Sequence, residues 1–173
     1  MRDYLEFFAR VNLEQNQRLF QKLDPLDESV LTESWPFLYG GSILGALRLM
    51  AENARFTQSD MCPVPSAQFR VYSAPYITES GRENRELPLE TYSQVRQALL
   101  TLSQGYVDGF HAAGEKEILG DKFPAYDFLS KGLFMAMNIR GQIVCRLNQM
   151  GISNLEKQFE GPLIPWPELD LPQ

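Results

Sequence analysis

The sequence predicts an all-α domain, an antiparallel four-helix bundle with a long connection between its second and third helices. Four segments of about twenty residues carry apolar side chains every three or four positions. Glycine, proline and capping residues punctuate those segments. The one hint of strand-like alternation, Phe69-Arg70-Val71-Tyr72, is too short to define a fold class.

The first segment runs from about Asp3 to Leu23. Tyr4, Phe7, Phe8, Val11, Leu19 and Leu23 recur at helical spacing, and Asp24-Pro25 ends the run. Asp27 or Ser29 opens a short extra turn before Trp35-Pro36. The second segment follows Gly40-Gly41, with Ser42 as N-cap, and continues through Ile43, Leu47, Met50 and Ala54 to about Ser59. From Met61 to about Pro88 the chain is rich in Pro, Ser and Gly and reads as a loop. That length lets the chain cross over instead of making a tight hairpin.

The third segment spans about Leu89 to His111. Tyr92, Val95, Leu99, Leu102, Tyr106 and Phe110 form its stripe, and Gly114 closes it. The fourth, about Tyr126 to Met150, is the most apolar, with Gly151 as its C-terminal glycine. Residues 1–160 are read as the bundle domain. The Pro-rich tail, 161–173, is read as a segment docked on the bundle or on a partner subunit, because Ile164, Trp166 and Leu169 would be a liability if free.

Composition narrows the function classes. Hydrophobic residues make up 44% and charged residues 22% of 173, the balance of one globular domain. The net charge of −6 and the lack of any basic run argue against a nucleic-acid partner. The longest apolar stretch, Gly132 to Cys145, is interrupted by Asn138, Arg140 and Gln142, so no membrane span is expected. The opening Met1-Arg2-Asp3-Tyr4 is amphipathic and mixed in charge, so no secretory signal is expected either. Cys62 and Cys145 make no disulfide framework and suit buried or idle thiols in a reducing cytoplasm.

Three short stretches carry a family resemblance. Val11-Asn12-Leu13-Glu14-Gln15-Asn16-Gln17-Arg18-Leu19 is similar to Tyr-Asn-x-Trp-Ala-Asn-x-x-Leu, sharing Asn12, Asn16 and Leu19. Gly41-Ser42-Ile43-Leu44-Gly45-Ala46-Leu47-Arg48-Leu49 is similar to Gly-Ser-Ile-x-x-Thr-Leu-x-His. Leu133 to Gln142 resembles an apolar run ending in Asn-His-x-x-His-His-Arg-Gly-Gln, of which Arg140-Gly141-Gln142 survives. These patterns, in this order, resemble the DinB-like (DinB/YfiT-like putative metalloenzyme) superfamily. The resemblance implies a bundle of DinB/YfiT type, a homodimer and a divalent metal held by three histidines. One of those comes from the second helix and two, four apart, from the fourth, where one helix face brings both rings to one ion.

Carried over position by position, those three sites are Leu49, Met135 and Ile139, none of which binds such an ion; Met135 offers only a thioether, suited to soft Cu(I). His111 is the chain's one histidine, so no three-histidine site exists in any register. Glu14, Glu52 and Cys145 make no convergent replacement. No metal and no cofactor is expected. Leu49, Met135 and Ile139 are expected to fill the vacated space as core, at about 1.5–3 kcal/mol for each side chain fully buried. The fourth helix, apolar nearly all round through Phe128, Leu129, Leu133, Ala136 and Val144, is expected to be buried on several sides, in the core or a subunit interface.

The remaining candidates read more readily as structure than as chemistry. His111 is a helix-end histidine favoured by the dipole, with a lone acid/base role as the sharper alternative. Asn138 and Arg140 could line a pocket, although Arg140 more readily pairs with a carboxylate of a neighbouring helix and Gly141 allows close helix packing. Asn12 and Asn16, four apart, are suited to bonds that fix helix register. No phosphate loop, Ser-His-Asp set or CxxC pair occurs. Two functions follow. The first is a non-catalytic binding or interaction protein, a homodimer with a small apolar ligand at the former metal position. The second is a metal-independent, thiol-dependent S-transferase-like enzyme, weaker because no group is left to activate a thiolate.

Overall fold

Each helix starts and stops for a local reason. A computed structural model describes residues 2–58, 89–112 and 125–152. Among the described residues all regular structure is helical: α1 (Arg2–Leu23), α2 (Glu28–Thr32), α3 (Ile43–Thr57), α4 (Tyr92–Ala112) and α5 (Ala125–Gln149). α1 stops at Asp24-Pro25, with the last turn closed by Asp24 N–H donating to Phe20 O. α2 is the extra turn; Asp27 is its N-cap residue but makes no side-chain cap bond. Ser42 caps α3 as predicted, its Oγ accepting from Gly45 N–H at 3.0 Å. Gly151, at φ +70°, ends α5 in a Schellman turn: Ile152 N–H bonds Leu147 O and Gly151 N–H bonds Asn148 O.

Approach to α3 needs two glycines. Gly40 sits at φ +81°, and a Cβ on Gly45 would fall 2.1 Å from Gly40 O, so the turn backbone lies directly on the first turn of the helix. The same turn reaches α5, where Tyr39 N–H donates to Gln142 Oε1 at 3.1 Å.

The four long helices each touch two others, in the cyclic order α1, α4, α3, α5. Bonds between them give the directions. Glu6 lies by His111, Asn16 by Ser103 and Asp24 by Arg96, so α1 and α4 are antiparallel. Asn53 reaches Gly132 while Tyr39, before α3, reaches Gln142, so α3 and α5 are antiparallel. Arg48 bonds Leu89 O and Gln58 bonds Leu102 O, so the neighbours α3 and α4 run the same way. A chain that leaves α3 must therefore return to the other end before starting α4, which requires the long connection. That connection (59–88), the stretch around Gly114, Cys62, Phe69–Tyr72 and the tail 161–173 lie outside the described residues.

The core runs between these helices. Leu19, Phe20 and Leu23 of α1 meet Leu47, Met50 and Ala51 of α3, Val95 and Leu99 of α4, and Ile139, Ile143 and Leu147 of α5. In α3 and α4 the predicted stripes are the buried ones, apart from a half-buried Tyr92. In α1 the predicted stripe needs correcting. Tyr4, Phe7, Phe8 and Val11 are only half-buried, and the inward positions are Leu5, Ala9, Asn12, Asn16, Leu19 and Leu23. α5 is not buried all round: Phe134, Met135 and Met137 are 60%, 40% and 42% exposed. Phe128 and Leu129 have side chains outside the described ones. No helix of the described residues is long and apolar enough to cross a membrane.

A surface clasp joins the end of α1 to the start of α4. Arg96 donates to both oxygens of Asp24, at 2.9 and 3.1 Å, and Tyr92 Oη donates to Oδ1 at 2.7 Å. Partial burial opposes ionisation of Asp24, but the bonds from Arg96 and Tyr92 and the guanidinium charge outweigh it and hold the carboxyl below its ordinary range. Its stabilising effect is thus present above the unfolded-state value and lost as pH falls through the lower folded one. Because the pair is well exposed, Asp24→Asn should lower stability by only about 0.5–1 kcal/mol at neutral pH. Urea titrations of both proteins should show that difference closing as pH falls to about 2.

Candidate functional site

The inward stripe of α1 places two amides where apolar side chains would ordinarily sit. Asn12 and Asn16, one turn apart, are both buried and face α5. From α5, Arg140 occupies the matching inward position, in sequence with Leu133, Ala136, Ile143 and Leu147, and is 8% exposed. Its Nη1 donates to Asn12 Oδ1 at 2.9 Å and to Asn16 Oδ1 at 2.6 Å. Asn16 then passes the chain onward: its Nδ2 donates to Ser103 Oγ at 2.9 Å, and Ser103 donates to Leu99 O at 2.6 Å on α4. Three helices are joined by one buried polar line.

Arg140 is the electrostatic centre of this line. No carboxylate among the described residues pairs with it, contrary to the sequence expectation. Burial alone pushes its guanidinium down to about 10, because the interior disfavours the cation and only neutral amide oxygens face it. Four other arginines do pair with carboxylates: Arg96 with Asp24, Arg146 with Glu33, Arg10 with Glu6, and Arg18 with Glu14.

The three positions aligned with the superfamily's histidines do not form one packed plug. Ile139 is fully buried in the core, and Leu49 is half-buried against the same cluster. Met135, one turn before Ile139, is exposed, which corrects the expectation that all three act as core. Asn138 is exposed on α5 and does not line the polar centre. Gly141 is also exposed, and among the described residues a Cβ there would meet nothing within 4 Å, so no close packing there needs a glycine. His111 lies in the last turn of α4 with its ring well exposed and Nδ1 3.2 Å from Glu6 Oε1. Cys145 is a free thiol at the surface, not a buried one. Among the described residues no three His, Cys, Asp or Glu side chains come together as a metal site.

Neither a family model, nor a curated protein, nor a solved structure matches this chain.

Sequence reasoning missed Ser103 and the pair Thr57–Tyr106, whose hydroxyls bond each other between α3 and α4. Beside that pair lies Gly132 of α5: a Cβ there would fall 2.7 Å from Tyr106 Oη, and its carbonyl accepts from Asn53 Nδ2 at 3.2 Å. The available signal was polar residues interrupting apolar stripes, at Ser103 in α4 and at Asn12 and Asn16 in α1.

The contrast between Ile139 and Met135 is directly measurable. Ile139→His inserts a polar ring where no partner awaits it and should cost about 2–4 kcal/mol. Met135→Lys should change stability by less than about 0.5 kcal/mol. Urea unfolding of the two variants checks both, and equal effects would show that the two positions share one environment.

Proposed function

We propose that this chain is a divergent DinB-like four-helix bundle that acts as a homodimeric binding or interaction protein without metal-dependent catalysis. Three short motif matches in order on the first, second and last long helices support the family reading. The ring of contacts among α1, α4, α3 and α5 is compatible with a four-helix bundle. The observation that carries the functional reading is Ile139. A fully buried isoleucine stands where a metal ligand would have to face an ion, and it packs with Leu47, Met50 and Ile143 in the main core cluster. A bundle that fills this position with core has no room there for a hydrated ion.

Dimerisation is supported by the outer face of α5. From Phe134 to Gln149 its exposed positions are Phe134, Met135, Met137, Asn138, Gly141, Cys145, Asn148 and Gln149, and none is charged. In a chain of net charge −6, an uncharged face that also exposes Phe134, Met135 and Met137 is where a second copy meets the least repulsion.

Two measurements test the reading. Purified protein incubated with Zn, Ni, Mn and Fe and freed of excess should retain far less than one metal per chain by plasma mass spectrometry. Sedimentation at micromolar concentration should give twice the monomer mass, with Met137→Lys shifting it to the monomer. One tightly held metal per chain, or turnover of a thiol with an electrophile, would overturn the non-catalytic reading. A monomeric wild type would overturn the dimer.

A further inference from the structure

The outward face of α5 changes character at Gly141. Phe134, Gly141 and Asn148 are seven residues apart and fall on one line of the helix, and Asn138 and Cys145 complete an exposed stripe of alternating 3–4 spacing. Before the glycine the face is bulky, with Phe134, Met135 and Met137 at 60%, 40% and 42% exposure. After it, Cys145 and Asn148 keep the stripe shallow. Gly141 itself stands in the helix interior, where glycine is less stable than alanine, and among the described residues a Cβ there meets nothing within 4 Å.

A second exposed surface flanks the shallow half. Tyr39 N–H is bonded to Gln142, next to Gly141, and the Trp35 ring lies 5.3 Å from the Arg146 guanidinium one turn further on. The turn that carries them is anchored by buried Leu38 and by Trp35 N–H donating to Gly41 O at 2.7 Å. It therefore holds Phe37 and Tyr39, 81% and 49% exposed, on the flank of α5 that also carries Met135.

We propose that two copies of this chain pair α5 against α5, antiparallel, about a two-fold axis passing at Gly141. The arrangement rests on the homodimer reading above and specifies its geometry. An antiparallel two-fold sets the bulky half of each helix on the shallow half of the other: Phe134 opposite the partner's Asn148, and Met137 opposite the partner's Cys145. The two glycines meet on the axis, where the missing side chains let the helices approach closely. The same operation keeps the flanks together, so the partner's Phe37 comes beside Met135. A parallel pairing would instead set bulk on bulk and leave the Cys145–Asn148 level unfilled, which close packing disfavours.

The test is cysteine cross-linking of the full chain by copper phenanthroline in air, read on non-reducing gels beside sedimentation. With Cys62→Ser throughout, native Cys145 should cross-link poorly, because the two copies of it lie about 12 Å apart along the helices, beyond disulfide reach. Adding Met137→Cys should give a covalent dimer at least ten times faster, and Cys145→Ser should remove that gain. Gly141→Cys with Cys145→Ser should also cross-link, since its thiols meet on the axis. A dimer by sedimentation that cross-links fastest through native Cys145, or that gains nothing from Met137→Cys, would overturn this arrangement and leave the homodimer standing. A monomeric wild type would overturn both.

Discussion

A guanidinium buried in the seam between two helices, facing two amide oxygens and no carboxylate, is the constraint around which this molecule is arranged. Taking such a group out of water costs several kcal/mol unless its hydrogen bonds are replaced. Arg140 recovers part of that through Asn12 and Asn16, and Asn16 is oriented in turn by Ser103. The amides cannot turn away without leaving the cation bare, and the arginine cannot leave without orphaning two acceptors. Each of α1, α4 and α5 therefore has one longitudinal position relative to the others at which all these bonds form.

Apolar packing alone would specify that position less sharply. Leucine, isoleucine and alanine tolerate sliding by a turn, because one aliphatic contact resembles the next, whereas a buried polar line does not. The main core cluster of Leu19, Phe20, Leu47, Met50, Leu99 and Ile143 supplies the hydrophobic driving force. The polar line adds register. The same line lies between α1 and α5, the least extensive of the contacts that close the helix ring.

Much of the fold was legible in the sequence. The four long segments, the extra turn after Asp24-Pro25, the Ser42 cap and the Gly151 stop are all where local chemistry places them. The inward face of α1 was not. A hydrophobicity pattern selects Tyr4, Phe7, Phe8 and Val11; the spacing of Asn12 and Asn16 marks them as register-fixing, but does not mark them as part of one inward stripe with Leu5 and Ala9. Only Arg140, 124 residues from Asn16 along the chain, makes those amides acceptable as core, and no local window contains both. Met135 illustrates a second limit. Four residues rotate a helix by about 40° past one full turn, enough for Ile139 to lie in the core while Met135 lies at the surface. The charge rule that assigns Arg140 a carboxylate failed because neutral acceptors were already in place.

A double-mutant cycle on Arg140→Met and Asn16→Leu, read by urea unfolding, tests the account most directly. Each single change leaves a buried group without its partner, while the double change removes both together. The two should therefore be coupled, with the double variant more stable than the sum of the singles predicts by about 1–3 kcal/mol. Strict additivity would mean that the Arg140–Asn16 bond does not hold α5 to α1, and the polar line would not be what sets the register of this fold.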